Sequence, residues 1–380
     1  MGKIAKVILI SIPSVIGLIV LAVIAIPLFV DLNDYKPEIE AAVKDKTGRE
    51  LKIAGDIDLS IFPWLGVSTG KITLSNAPGF VPDYFAVIKE SDIKIKLMPL
   101  LSKEVEVSTI TFKGLELNLA KNKKGLSNWD DLAGKNQPKK AEEKVVKVEE
   151  KTEAAPVLAA LMIGGLSIED AQIHWDDQQA GQQVIIKDFN LKTGKIALNE
   201  AIDIKLSLFV DNKKPALTEA LSLTTELVID ESMQLIQLKN TKINSATKGA
   251  IVPNGAFDVQ LLSQIAIDLK QESLALENLK IAFDDTTIDG FLRIKQFSKP
   301  ALAFNLAINE IDVDRYTAAD KAQTKVVASP AAAVAATTAL IPVKTIRELN
   351  LNGDISIDKL KASGVTLEKI TLNIQAKDGV

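Results

Sequence analysis

The chain has 380 residues, no cysteine, a single histidine and a formal net charge of −4. Without cysteine it forms neither disulfides nor thiolate metal sites, and one histidine excludes a histidine-clustered metal centre. No basic patch with interleaved aromatic residues occurs, so a nucleic-acid-binding function is not expected.

A long apolar segment opens the chain. Residues 7–30 carry no formal charge, with Lys3 and Lys6 before them and Asp31 and Asp34 after them. About twenty apolar residues cross the hydrocarbon core as a helix, and the preceding lysines favour a cytoplasmic N-terminus. We therefore predict that residues 1–30 are a cytoplasmic tip and transmembrane anchor. A secretory signal peptide is the alternative, although the run is long for one and no small-x-small cleavage site closes it.

The residues after the anchor predict a short helix and then strands. Asp34 is a candidate N-cap, Pro37 falls in the first turn and Gly48 suits the end of the helix. Beyond it the apolar period changes from 3.6 to 2, which indicates half-buried strands. Some twenty such segments with short connections predict mostly antiparallel pairing. The clearest alternations are 51–61, 93–97, 115–119, 202–208, 265–269 and 302–308.

Two segments interrupt this pattern and divide the chain. Residues 134–156 are rich in lysine and glutamate, as in a disordered linker or a highly charged helix, and residues 318–342 are rich in alanine, as in a linker leading into a short helix. The predicted organisation is therefore an N-terminal helix and β module (31–133), a charged linker (134–156), a central β-sheet (157–317), an Ala-rich linker (318–342) and the start of a further β module (343–380).

An internal repeat relates two of these parts. Residues 46–74 match residues 344–372 without a gap, with fourteen of twenty-nine positions identical, glycines and charged residues among them. We interpret the unit as a hairpin that extends a sheet in modular fashion; convergent turn chemistry in two similar hairpins is the alternative. The second copy has just begun when the sequence stops at Val380, so we expect the natural protein to continue.

No catalytic motif accompanies the strands. The glycine-rich phosphate-binding patterns and the G-x-S-x-G nucleophile pattern are all missing. Adjacent acids such as Asp176 and Asp177 point to opposite faces of a strand, so they cannot converge on one substrate. Trp-Asp-Asp occurs at 129–131 and at 175–177, where tryptophan beside turn-forming acids indicates a packing anchor, and the single histidine, His174, lies far from any nucleophile motif. We expect no enzyme, no cofactor and no metal site.

The apolar faces of the strands must be shielded from water, because few helices are predicted to cover them. A sandwich, a closed barrel and a curled groove that contacts lipid chains all meet this requirement. Open sheets beyond about ten strands usually curl, split or close. Twenty strands in one sheet would span on the order of 100 Å, and that length suits a membrane-tethered conduit better than a sandwich.

Several motifs carry a resemblance to a known family. Over residues 1–132 the chain has, in order, motifs similar to those of the N-terminal region of the AsmA family, and the segment from Leu340 resembles a more C-terminal module of that family. The motifs are Phe29-Val30-Asp31-Leu32-Asn33-Asp34-Tyr35-Lys36-Pro37, Thr47-Gly48-Arg49-Glu50-Leu51, Gly55-Asp56-Ile57, Phe62-Pro63-Trp64-Leu65-Gly66, Leu74-Ser75-Asn76-Ala77-Pro78-Gly79-Phe80 and Asn128-Trp129-Asp130-Asp131-Leu132.

The resemblance implies a single-pass inner-membrane protein of a Gram-negative bacterium with its bulk in the periplasm. It implies a mainly β fold in which a long, curled antiparallel sheet forms a groove related to bridge-like lipid transfer proteins. It also implies a role in outer-membrane lipid homeostasis and assembly. The expected partners are membrane lipids, phospholipid first among them, and outer-membrane or periplasmic proteins. Family members are generally longer, in line with a C-terminally truncated chain.

The resulting hypothesis is that acyl chains lie along the apolar face of the strands while headgroups stay in water. The alternative function is a tethered scaffold or assembly factor for outer-membrane proteins. We expect the residues Phe62, Pro63, Trp64 and Leu65 to form a membrane-proximal lip, with a strand-end packing cluster as the alternative. The predicted groove-lining residues, for which ordinary sandwich core is the alternative, are Ile57, Leu59, Ile95, Leu97, Leu117, Ile204, Leu206, Ile267, Leu269, Phe304 and Leu306.

Overall fold

The computed structural model of the protein describes residues 31–60, 64–96, 99, 106–132, 162–213, 215–317 and 350–377. These residues are mainly β, with nineteen strands and few, short helices, which confirms the predicted class. The predicted anchor, residues 7–30, lies outside them, as do the linkers at 134–156 and 318–342. Within those ranges no helix combines the length and the apolar character that a membrane crossing needs. The chain divides into two compact units, residues 1–196 and 197–380.

The N-terminal unit begins with a 3-10 turn, Leu32–Tyr35, and helix α1, Lys36–Thr47. Pro37 lies in the first turn of α1, and Gly48 ends the helix in the left-handed conformation, as the sequence predicts. The predicted N-cap, Asp34, lies instead within the 3-10 turn, and Tyr35 precedes α1 without a side-chain cap. Ten strands follow: β1 (Leu51–Ile53), β2 (Ile57–Ser60), β3 (Trp64–Thr69), β4 (Ile72–Ser75), β5 (Tyr84–Ile88), β6 (Glu90–Lys96), β7 (Glu106–Lys113), β8 (Glu116–Lys121), β9 (Met162–Asp177) and β10 (Gln182–Thr193).

Two branches of short strands meet on the long strand β9. One branch pairs in the order β2-β3-β6-β7, and β7 then pairs with the first half of β9. The other runs β1-β4-β5-β8, and β8 pairs with the second half of β9. Strand β10 pairs antiparallel with the other edge of β9. Both branches join β9 in parallel, so the antiparallel pairing predicted for most of the strands does not extend to these two junctions.

The C-terminal unit is a long meander. Its strands are β11 (Ile202–Lys213), β12 (Ala216–Ile229), β13 (Leu235–Gly249), β14 (Ala256–Asp268), β15 (Ser273–Phe283), β16 (Thr286–Lys295), β17 (Ala301–Asp312), β18 (Asn350–Ala362) and β19 (Val365–Ala376). A 3-10 turn, Pro253–Gly255, precedes β14, and the short helix α2, Val313–Thr317, follows β17. Each strand pairs antiparallel with the next, except that β17 and β18 are parallel.

Bulges recur in the middle of this sheet. The register shifts once within each of the four pairs from β12–β13 to β15–β16. Asn240 and Asn278 adopt positive φ at these sites, a conformation that asparagine tolerates better than most residues. Buried hydroxyls bond to carbonyls freed from the ladder: Thr225 donates to Lys239 O (3.0 Å) and Ser263 to Glu277 O (3.0 Å). Because each bulge bends its strand and increases the local twist, four on adjacent pairs curl the sheet.

The two copies of the sequence repeat both form antiparallel hairpins, but of different regularity. In the first copy, β1 pairs with β4 and β2 with β3, so each arm is interrupted. Gly55 and Gly70 approach each other closely at the interruption, where a Cβ on Gly55 would lie 2.4 Å from the Gly70 Cα. In the second copy, β18 and β19 run without interruption on either side of the Ser363-Gly364 turn, where Glu368 takes the position of Gly70.

Candidate functional site

The sheet of the C-terminal unit carries a transverse row of apolar residues across all nine strands. Residues directly opposite each other on paired strands project from the same face, so the register alone defines the row. Every member is Ile or Leu, and eight spacings of about 4.8 Å make the row roughly 38 Å long. Row 1 consists of Leu206, Leu223, Ile243, Leu261, Ile281, Ile288, Ile308, Ile357 and Ile370.

Two further rows lie on the same face, beyond the bulges. Both consist of apolar side chains apart from one glycine, so this face carries three apolar rows. Row 2 consists of Ile202, Leu227, Leu238, Ile265, Leu276, Leu292, Phe304, Gly353 and Ile374. Row 3 consists of Ile229, Ile236, Ile267, Leu274, Ile294, Leu302, Leu351 and Ala376.

Between row 1 and row 2 the bulges replace large side chains with small, hydroxyl-bearing ones. Thr225, Thr241 and Ser263 occupy the centre of this line and are buried, and the two threonine hydroxyls lie 2.9 Å apart. Ile204 and Leu306 lie toward its ends, two residues from members of row 1 on the same strands. The side chains of the face are therefore smaller and more polar at the bulges, and the buried hydroxyls there are hydrogen-bonded.

The opposite face of the same strands is polar. One transverse row on this face contains polar or charged residues on most of the central strands, with a single large apolar residue among them. Its polar and charged members are Lys205, Thr224, Lys242, Lys280 and Asp289. Lys280 pairs with Asp289 at 3.3 Å. One face is thus suited to water and the other to hydrocarbon, which is the two-sided pattern that the alternation predicted.

Within the part of this unit that the structure describes, the apolar face is not covered as a closed core would be. All nine members of row 1 are only half-buried, as are most members of rows 2 and 3. In a sandwich the same side chains would be covered by a second sheet and fully buried. Among the described residues of this unit, the buried hydrophobic side chains are only Ile202, Val252 and Leu279. The face is therefore an open, partly accessible apolar surface.

Five of the six lining residues predicted in this unit fall on that surface. Leu206 is in row 1, Phe304 in row 2 and Ile267 in row 3, while Ile204 and Leu306 lie in the line between rows 1 and 2. Leu269 lies beyond the end of β14 and is exposed. Their contact with lipid stays a prediction, but the structure brings five of them onto one face.

The N-terminal unit has shorter apolar rows of the same kind. Of the lining residues predicted in this unit, Leu117 and Ile95 lie in such rows. Leu59 lies opposite Val67. Ile57 is buried, and its backbone N–H donates to Asn33 Oδ1 at 2.9 Å. Leu97 lies outside the described residues. One row is Leu51, Leu74, Ala86, Leu117, Ile173 and Ile186; the other is Leu65, Ile95, Val107 and Ile163.

The predicted lip is only partly described, because Phe62 and Pro63 lie outside the described residues. Trp64 and Leu65 are consecutive residues of β3, so their side chains project to opposite faces. Trp64 pairs with Lys96, whose ammonium lies 5.9 Å from the indole centroid, and Leu65 belongs to the apolar row with Ile95. The two side chains therefore do not share one patch, and membrane contact by either stays a prediction.

The motifs that carried the family resemblance meet in a buried polar network. Arg49 is 2% exposed and forms a two-point ion pair with Asp131, at 2.9 Å and 2.6 Å. Arg49 also donates to Asn128 O and stacks over the Phe85 ring. The fully buried Asn128 donates to Asn76 Oδ1 at 2.9 Å. The Arg49 guanidinium lowers the pKa of the Asp131 carboxyl, so the pair stays ionised at neutral pH.

The two Trp-Asp-Asp tripeptides are also adjacent in space. The Trp129 and Trp175 rings pack with centroids 5.7 Å apart, as expected of packing anchors. Their acids serve the local structure, because Asp130 accepts from Ser127 N at 2.8 Å and Asp177 accepts from Gln179 N at 2.9 Å. Asp131 forms the ion pair with Arg49.

Other candidate chemistry is sparse. His174 is half-buried on β9, opposite Asn118 on one side and Ile185 on the other. Among the residues that the structure describes, no group of three His, Asp or Glu side chains is placed to hold a metal ion. Among the described residues, the apolar face is therefore the most extensive candidate for a functional site.

The bulge residues bend the apolar face, and the sequence did not lead us to predict them. Their signal is a charged residue followed by Asn or Asp inside a strand pattern, as in Lys239-Asn240, Glu277-Asn278, Glu169-Asp170 and Lys187-Asp188. All four Asn and Asp residues adopt positive φ, and register shifts lie at or next to each of them. At these four positions the dipeptide coincides with a bulge, whereas Asp211-Asn212 in β11 pairs with β12 without a register shift.

Comparison with known proteins places these motifs in a family. The family model described as the AsmA family matches residues 1–216, more than half of the chain. The search of curated proteins found no match. The matched range contains α1, strands β1 to β10 and the Arg49–Asp131 network. The chain therefore belongs to the AsmA family.

Proposed function

We propose that this protein carries phospholipid acyl chains along the apolar faces of its sheets and so contributes to outer-membrane lipid homeostasis and assembly. The observation that carries the proposal is the apolar face of the C-terminal unit, with three apolar rows that stay half-buried. Membership of the AsmA family supports a role in lipid-related assembly of the outer membrane. The polar opposite face supports a sheet with one wet side and one lipid-covered side.

The energetic reason for such a surface is the cost of moving acyl chains through water, about 0.8 kcal/mol for each CH₂ group. Because row 1 is Ile or Leu at every strand, a chain that moves along it stays in contact with similar apolar groups. The free energy of the lipid then changes little along the path. The buried hydroxyls between rows 1 and 2 are already hydrogen-bonded, so they add no polar barrier.

The proposed location follows from the uncharged segment 7–30. We place this segment across the inner membrane, with the N-terminus cytoplasmic and the strands in the periplasm of a Gram-negative bacterium. The partners of the chain are then membrane lipids, together with outer-membrane or periplasmic proteins. No enzymatic step is part of the proposal.

The proposal is tested by native mass spectrometry of the full chain, extracted from its membrane with a mild detergent. We expect bound phospholipid that stays with the protein during purification. A matched variant, Ile281→Gln, should retain at least threefold less lipid, whereas Thr224→Gln on the opposite face should retain the normal amount. A full chain that is folded and free of lipid would contradict the proposal and favour the scaffold function, which specific protein partners without lipid would support.

A further inference from the structure

A cavity of about 210 Å³ lies at one end of the apolar face of the C-terminal unit. We call it the rim cavity; its lining residues are Asp285, Thr286, Glu310, Ile311, Asp312, Arg315, Tyr316, Lys359 and Lys361. Thr286, Glu310 and Lys359 each lie two residues from a member of row 1 on the same strand. The rim cavity therefore opens on the apolar face, directly beyond row 1.

Helix α2 closes the apolar face beside this cavity. Tyr316 on α2 packs against Phe257 and Phe283, with ring centroids 6.1 Å and 6.2 Å apart, and the two phenylalanine rings are 5.5 Å apart. Phe283 is two residues beyond Ile281 of row 1. The Tyr316 hydroxyl donates to Asp284 at 2.6 Å and anchors the helix. Over β14 and β15 the apolar face thus ends at an aromatic cluster, and over β16 to β18 it ends at the rim cavity.

The charges of the rim cavity are balanced. Three cations and three carboxylates line it. Lys359 Nζ lies 3.3 Å from Glu310, Lys361 Nζ 2.9 Å from Asp312 and Arg315 Nη1 3.1 Å from Asp285. A ligand with only negative charge would be repelled by the three carboxylates. A zwitterionic ligand can pair its negative group with the cations and its positive group with the carboxylates.

These ion pairs are accessible to a ligand. The six side chains keep between 38% and 78% of their surface exposed. Exposed ion pairs contribute little to stability, about 0–1 kcal/mol, so a ligand that supplies both charges can replace them. Lys361 lowers the pKa of Asp312, and Asp312 raises the pKa of Lys361, so both groups of that pair carry their charges at neutral pH.

We propose that the rim cavity binds the zwitterionic headgroup of a phospholipid, a phosphodiester that carries an amine, while the acyl chains extend along row 1. The phosphate accepts charge-assisted hydrogen bonds from Lys359, Lys361 and Arg315, and the amine donates to Glu310 and Asp312. This inference rests on the proposed function and adds headgroup recognition to it. The rim cavity is then a fixed end point for a lipid on the apolar face.

The test is a titration of the detergent-solubilised full chain, followed by native mass spectrometry. The probes are dihexanoyl phosphatidylethanolamine, dihexanoyl phosphatidylglycerol and glycerophosphoethanolamine, which has the headgroup without acyl chains. We expect the phosphatidylethanolamine to bind at least fivefold more tightly than the phosphatidylglycerol, and at least tenfold more tightly than the headgroup alone. The double variant Lys359→Gln, Lys361→Gln should bind the phosphatidylethanolamine at least tenfold more weakly.

The matched control is Lys242→Gln, Lys280→Gln, which removes the same charges from the polar face and should bind within twofold of the unaltered chain. Equal binding of the two lipids, or equal binding of the headgroup alone, would overturn the inference. Undiminished phosphatidylethanolamine binding by the Lys359, Lys361 double variant would overturn it while leaving the proposed function intact. If the unaltered chain binds neither lipid, the inference and the proposed function both fail.

Discussion

Asp131→Asn is expected to lower the free energy of unfolding of the N-terminal unit by about 3 kcal/mol. The substitution leaves the Arg49 guanidinium, which is 2% exposed, without a counter-charge. Removal of one partner from a buried ion pair costs about 3–5 kcal/mol, and we expect the low end because a third of the Asp131 side chain is exposed. Urea unfolding of the full chain in detergent, followed by tryptophan fluorescence, measures this loss because Trp64, Trp129 and Trp175 all belong to this unit.

Glu90→Gln is the control, since the Glu90–Lys113 pair in the same unit is exposed on both sides and should contribute less than about 1 kcal/mol. Because Arg49 lowers the pKa of Asp131, this pair stabilises the fold fully above the ordinary aspartate pKa. The stabilisation is lost as the pH falls toward the lowered pKa, and the Asn variant lacks that acid-dependent part. Equal unfolding midpoints for Asp131→Asn and Glu90→Gln would contradict a structural role of the network.

Ile243→Asp is expected to reduce lipid bound by the full chain at least tenfold while the C-terminal unit stays folded. Ile243 is a half-buried member of row 1 near the middle of the sheet, between Leu223 and Leu261. A carboxylate there would be desolvated by any acyl chain that covers the row, at a cost of several kcal/mol. The measurement is the phospholipid retained on the purified chain, with hydrogen exchange of β13 as the check on folding.

Lys242→Asp is the matched control, because Lys242 is the next residue along β13 and lies on the polar face. It should retain the normal amount of lipid. If Ile243→Asp instead unfolds β12 to β14 in hydrogen exchange, row 1 is a protein core and the sandwich alternative is favoured. If it stays folded and retains its lipid, the acyl chains do not lie on row 1.

The sequence predicts which side of a strand is apolar, because the alternation of apolar and polar residues lies within one strand and does not depend on the neighbouring strands. Leu206, Ile267 and Phe304 were selected by alternation alone, and the register places all three on one face. Their assembly into rows that cross the whole sheet could not be predicted, since it depends on pairing between strands. The bulges change that pairing, and in the sequence of this sheet only Asn240 and Asn278, which adopt positive φ, indicate where they lie.

The parallel pairings were missed for a related reason. Parallel neighbours need a long connection, and two long connections occur: residues 122–161 before β9 and 313–349 before β18. Within them, residues 134–156 and 318–342 were interpreted only as linkers. Likewise, the Arg49–Asp131 pair joins residues 82 positions apart, which no local pattern indicates. The resemblance included both motifs, and the structure shows that a buried ion pair joins them.

The most direct test of a lipid-covered face is photocrosslinking in living cells with a probe at Ile281 and, separately, at Lys280. The two residues are consecutive on β15; Ile281 belongs to row 1, and Lys280 lies on the polar face. Because adjacent strand residues project to opposite faces, the pair reports which side of the sheet lipid contacts. We predict phospholipid adducts at Ile281 and none at Lys280. Absence of lipid at both positions in a stably folded protein would contradict the account and leave the scaffold function as the better explanation.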